Sequence, residues 1–148
     1  LAQGLALYGE ENNTPGIVWA LDEQARLAQA EGDLHRAGAL WVEALGLCRA
    51  ARLDRWVVGC LRGLAGVALQ QGQIARAVRL QGACAALLQM AGGPPLILPP
   101  AERAAEEAAL AAARAQLDAA AWEAAWAAGQ AMSLDEAVAY ALEGLSPR

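Results

Sequence analysis

The sequence predicts an all-α fold, an α-solenoid of antiparallel helical hairpins. Three observations predict it. Leu21 recurs as Leu61, Ala25 as Ala65, Ala28 as Ala68, Gly32 as Gly72, Ala37 as Ala77, Leu40 as Leu80 and Leu47 as Leu87, each pair forty residues apart. A fixed period within roughly 20–50 residues marks a repeat array. Gly32 and Gly72 each divide two stretches of helical length, the plan of a helix–turn–helix hairpin. The chain is 57% hydrophobic, and much of that fraction is alanine, the strongest helix former. At 148 residues it has the size of one domain, long enough to bury roughly 68–70% of its unfolded surface.

The elements follow in chain order. Leu5 matches Leu45 and Leu7 matches Leu47 at the same spacing of forty, so residues 1–10 read as the remnant of a preceding repeat. A chain that opens on Leu1 inside a repeat is expected to be a piece of a longer protein. Thr14-Pro15 starts a helix, with a capping hydroxyl and then Pro in the first turn. That helix is expected to run from Pro15 to Ala30. Gly32-Asp33 ends it, and Asp33 caps a second helix, Leu34 to Ala51, whose apolar stripe is Leu40, Ala44 and Leu47 widened by Trp41, Leu45 and Cys48. The plan then repeats: Asp54 as cap, Arg55 to Gln71, a turn at Gly72, Ile74 to Ala91. The two repeats therefore span residues 15–51 and 55–91.

Gly92-Gly93-Pro94-Pro95 breaks the helix, and Pro99-Pro100 closes the break, because Pro fixes φ and cannot continue a helix. This longer connection steps the chain into a capping element, residues 100–144. There an Ala-rich helix runs from Pro100 to Leu117, Asp118 caps another from Ala119 to Gly129, and Ser133 with Glu136 forms a capping box for a last helix. Leu134, Val138, Ala141 and Leu145 mark the buried face of that last helix. Terminal units of solenoids are atypical because they must close the core, and the Ala-rich third hairpin with the last helix fits that task.

The two central repeats resemble the tetratricopeptide repeat. Ala28, Gly32, Ala37, Trp41 and Ala44 match its small-residue and turn positions in one copy, as do Ala68, Gly72, Ala77 and Cys84 in the next, where Gln81 takes the place of the large residue. The first-helix signature is present in reduced form as Leu21-x-x-Gln24-Ala25 and Leu61-x-x-Leu64-Ala65. The stretches Gly92-Gly93-Pro94-Pro95, Pro99-Pro100-Ala101-Glu102-Arg103 and Trp122-Glu123-Ala124-Ala125-Trp126, continuing to Leu142, resemble the C-terminal end of large bacterial regulators. These are signal-transduction ATPases with numerous domains, including LuxR-type and maltose-activator-type transcription regulators. The resemblance runs from Leu1 to Leu142. It implies a sensor or partner-binding solenoid in the cytoplasm that works on other domains of its parent.

The chemistry the sequence carries is sparse. A P-loop needs a Lys to reach the phosphates, and the chain has none. A zinc site needs about four convergent ligands, whereas His35 is the single His and no C-x-x-C or H-E-x-x-H occurs. Any Ser-His or Cys-His pair would have to use His35, which reads as a solvated residue in a first helical turn. No cofactor, metal or catalytic residue is expected. The formal charge of −5 lacks the basic face of a nucleic-acid surface. No apolar run reaches the roughly 20 residues that cross a bilayer, and no signal peptide is visible. Three Cys without close pairing point to a reducing compartment. Cys60 and Cys84 take small-residue core positions, where packing is the expected role. They lie toward the open end of one hairpin, where the two could come close. Asn12-Asn13-Thr14 matches a glycosylation triplet, but nothing else in the chain is secretory.

In a solenoid of the tetratricopeptide type, the first helix of each hairpin lines the concave face. Helical spacing away from Leu21 and Ala25, and from Leu61 and Ala65, then gives Trp19, Asp22, Arg26 and Gln29, followed by Arg62, Gly66, Leu69 and Gln70, as groove-facing residues. Trp and Arg favour recognition because they join stacking to directed hydrogen bonds. Trp41, Trp122 and Trp126 fall on core stripes, and Trp56 fits either place. The expected role is a non-catalytic recognition module that binds a protein segment or small effector in its groove. The alternative is a structural solenoid that self-assembles or holds neighbouring domains and has no ligand of its own.

Overall fold

The computed structural model describes residues 14–91 and 100–143, apart from the side chains of Arg55, Ala91, Glu102, Ala105 and Glu106. These residues form helices α1 (Thr14–Ala30), α2 (Leu34–Ala51), α3 (Asp54–Gln70), α4 (Ile74–Ala91), α5 (Pro100–Gln116), α6 (Ala119–Gln130) and α7 (Leu134–Glu143). The fold is all-α, a stack of helical hairpins of the solenoid kind. The repeat remnant at 1–10, the Gly-Pro connection at 92–99 and Leu145 lie outside the described residues.

Each short turn is built by the backbone. Gly32 and Gly72 take φ of 84° and 82°, a left-handed conformation that glycine adopts without steric cost. The two turns carry the same hydrogen bonds forty residues apart: Asp33 N–H to the Ala28 carbonyl and Gln73 N–H to the Ala68 carbonyl, both 2.9 Å. This six-to-one bond with a left-handed residue is the Schellman stop signal. The α2–α3 turn uses the same device, with Leu53 N–H on the Cys48 carbonyl at 2.9 Å and Arg52 in the left-handed position at φ 59°. The starts follow the sequence at three helices. Asp33 accepts from Arg36 N–H, Asp118 accepts from Ala121 N–H, and Ser133 and Glu136 exchange bonds of 2.9 and 3.1 Å in a capping box. At α3 the expected cap is corrected: Leu53 holds the cap position without a side-chain bond, and Asp54 is the first helical residue, where its charge favours the helix dipole.

α1 packs on α2, α2 on α3 and α3 on α4, so the hairpins lie side by side in chain order. Leu21, Leu45, Leu61 and Leu80 are among the fully buried side chains, and Ala25, Ala37, Ala44, Ala65 and Ala83 let the helices approach. The C-terminal part then departs from the regular plan. α6, not α5, lies against α4, and the two touch backbone to backbone. A Cβ on Gly129 would collide with the Arg79 carbonyl, and one on Gly82 would stand 2.5 Å from the Trp126 carbonyl oxygen. The expected third hairpin therefore does not close on itself. α5 presents mostly alanine, fully buries only Ala113 among its described side chains, and rests lightly on α3 and α4. α7 also rests on α4: Arg76 donates to the Ala141 carbonyl and stacks on the Tyr140 ring, and Arg79 donates to the Tyr140 hydroxyl. Ala137, Val138 and Ala141 join the main core there.

Candidate functional site

Residues 19, 22, 26 and 29 recur every three or four positions, so one stripe of α1 carries Trp19, Asp22, Arg26 and Gln29. The facing stripe of α3 carries Gly59, Arg62, Gly63, Gly66 and Leu69. Between the stripes lies an open cavity of about 560 Å³. Its far wall comes from Val78 and Gln81 of α4 and from Ala109, Leu110 and Ala113 of α5. The glycines make the room. A Cβ on Gly59 would meet nothing within 4 Å, and one on Gly66 would touch only the Gln29 amide, at 3.0 Å.

The floor is held by Trp41 of α2. Its ring lies flat against Gly63, where any Cβ would strike the indole. Its Nε1–H donates to Asp22 Oδ1 at 3.0 Å, and the other carboxylate oxygen accepts from Arg26 Nε at 2.8 Å. One carboxylate thus ties the buried indole below to the half-exposed guanidinium above. Gln29 Nε2–H donates to Gln70 Oε1 and bridges α1 to α3 at one end. Trp19 (56% exposed) and Trp56 (39% exposed) stand toward the other, near the starts of their helices.

Of the residues the helical spacing selects, Trp19, Asp22, Arg26, Gln29, Arg62, Gly66 and Leu69 line the cavity. Gln70 is not on the wall and acts through Gln29. Trp41 is in the core, as its stripe position predicts, and also reaches the cavity through its N–H. Trp56 resolves to the cavity wall. Gln81 carried a legible signal, since a polar residue stands where the first repeat has Trp41. The α5 residues carried none: they lie outside the forty-residue period, in a run of alanine. His35 is exposed in the first turn of α2.

All three thiols are buried. Cys60 and Cys84 are both free thiols in the main core. Cys84 donates to the Val58 carbonyl at 3.7 Å, while Cys60 lies on the cavity wall. Hydrogen bonding toward the Cys48 thiol of α2, with burial, pushes the Cys60 thiol far above its ordinary range. The same hydrogen bonding lowers Cys48, because it supports negative charge on the Cys48 sulfur, and burial opposes it.

Among the described residues no group of three or more His, Cys, Asp and Glu stands close enough to share a metal ion, and no helix is long and apolar enough to cross a membrane. The wall offers stacking faces, apolar contact and directed hydrogen bonds from Arg and Gln. Comparison with protein-family models, with curated proteins and with solved structures finds no match to this chain.

Proposed function

We propose that this chain is a non-catalytic recognition module whose cavity binds a compact ligand, a small effector or a short partner segment, and passes its presence to the rest of a larger regulatory protein. One observation carries the reading. The α1 and α3 stripes converge on a cavity of about 560 Å³ that holds two exposed tryptophans beside Asp22, Arg26, Arg62 and Gln81. Ligand sites commonly enclose roughly 300–1,000 Å³ and combine apolar walls with a few placed polar groups. The Gln29–Gln70 bridge and the α5 wall shorten the groove, which favours a compact ligand over a long segment. The regulatory setting, a bacterial ATPase or transcription regulator in the cytoplasm, is supported by the resemblance of the repeats and of the C-terminal stretch.

The test is a thermal-shift screen of the chain against small organic effectors and short synthetic peptides, with Trp19→Ala/Arg62→Ala as the control. A ligand at 100 times its Kd adds about 2.7 kcal/mol to stability. The expected result is a probe that raises Tm of the parent chain and leaves the double variant unmoved. Stabilisation retained by the double variant rejects the cavity as the site. A dimer or larger species at micromolar concentration, lost in the same variant, assigns the groove to self-assembly instead.

A further inference from the structure

The cavity wall narrows the chemical class of its ligand beyond the recognition reading on which this inference rests. Two wall residues are tryptophans left facing water, Trp19 and Trp56. The stack requires neither. Forty residues after Trp19 stands Gly59, and forty before Trp56 stands Gly16, so each position holds glycine in the other hairpin. An exposed indole that the frame does not use offers a flat apolar face to whatever enters. Val18, Leu69, Val78 and Leu110 add further apolar wall. The charged wall residues are Asp22, Arg26 and Arg62, two guanidiniums against one carboxylate, a net charge of +1. Asp22 already accepts from Trp41 Nε1–H with one oxygen and from Arg26 Nε–H with the other. Its charge is matched within the protein, and the wall as a whole is electropositive. Tryptophan faces attract organic cations, but that net charge repels them here. A sugar would set hydroxyls against the apolar wall at a desolvation cost.

We infer that the cavity takes a flat aromatic carboxylate, with its ring at the tryptophans and its acid group at Arg26 and Arg62. The order of residues along the helices sets this direction. On α1, Trp19 precedes Arg26, and on α3, Trp56 precedes Arg62, by about two helical turns in each case. At a rise of about 1.5 Å per residue, aromatic and cationic levels lie roughly 9–10 Å apart on both helices. The Gln29–Gln70 bridge closes the cavity beyond the arginines. A fused two-ring acid spans the two levels. Guanidinium groups suit the acid end, because they bind a carboxylate through charge-assisted, often paired, hydrogen bonds. The glycine at position 59 leaves open space beside the tryptophan level, where the ring would lie.

The experiment titrates the chain with 2-naphthoate by isothermal calorimetry, beside its neutral twin 2-naphthamide and ring-free acetate. Naphthoate is expected to bind saturably, one per chain, and the other two at least about tenfold more weakly. Arg62→Gln should weaken naphthoate by about tenfold and leave naphthamide unchanged. Trp19→Ala should weaken both ring compounds. Gly59→Leu keeps every polar group, fills the open space and should abolish binding. Thermal melts of each variant separate lost binding from lost folding. Equal affinity for naphthoate and naphthamide, or naphthoate binding unmoved by Arg62→Gln, overturns the inference, while loss in Gly59→Leu still keeps the cavity as the binding site. Naphthoate binding that persists in both Trp19→Ala and Gly59→Leu overturns the inference and the cavity together. Absence of naphthoate binding overturns the inference alone, and the recognition reading then stands or falls with the effector and peptide screen.

Discussion

The two hairpins share a frame and differ in what they show to the cavity. Buried positions repeat across the forty-residue step: Val18 and Val58, Leu21 and Leu61, Ala25 and Ala65, Ala28 and Ala68, Ala37 and Ala77 are all buried. Cavity-facing positions do not repeat. Trp19 answers to Gly59, Asp22 to Arg62, Arg26 to Gly66, Gln29 to Leu69 and Trp41 to Gln81. The first hairpin supplies Trp19, Asp22, Arg26, Gln29 and Trp41, and the second supplies Trp56, Arg62 and Gln81 together with the glycines that leave room for them. Repetition builds the stack, and its interruption builds the site. Two identical hairpins would face each other with the same groups and leave no pocket.

The widest separation between frame and cavity is expected from Leu21→Ala and Leu61→Ala. Both side chains are buried, at 2% and 0% exposure, and each truncation should cost about 2–5 kcal/mol in urea unfolding. A loss at only one of them would show that the two copies bear unequal loads.

A finer break lies inside α3. Gly63→Ala drives a methyl into the Trp41 indole and should cost roughly 1–3 kcal/mol. Gly59→Ala, on the same stripe but facing open space, should stabilise by about 0.8–1 kcal/mol through helix propensity. Equal effects at the two sites would mean that Trp41 does not hold the floor.

Effects of comparable size test the turns. Gly32→Ala and Gly72→Ala each place a side chain in the left-handed region and should lose about 1–2 kcal/mol. Arg52 already occupies that region without a glycine, so Arg52→Gly should gain up to about 1 kcal/mol in the same unfolding assay.

This division also explains what could be read in advance. The frame was legible because burial forces the same small and apolar residues back at each step. Half of the cavity was legible by phase, since Trp19, Asp22, Arg26 and Gln29 follow once Leu21 and Ala25 are set inward. The double role of Trp41 was hidden, because a stripe position says that a ring is buried but not where its N–H points. The place of α5 was hidden too. A helix whose apolar residues are nearly all alanine has no face that names its neighbour, whereas Gly129 of α6 approaches a backbone closely, and that backbone is α4.

The Gly82–Gly129 contact has a mechanical consequence. Elsewhere in the stack, helices meet through side chains, and rotamers can absorb a small displacement. Here carbonyl meets glycine, and there is no torsion to yield. A shift of α6 bears directly on the Arg79–Ala83 turn of α4. The same turn carries Gln81, one of the cavity's polar groups, one residue from Gly82. α6 thus rests by its backbone on the same turn that places Gln81 on the cavity wall.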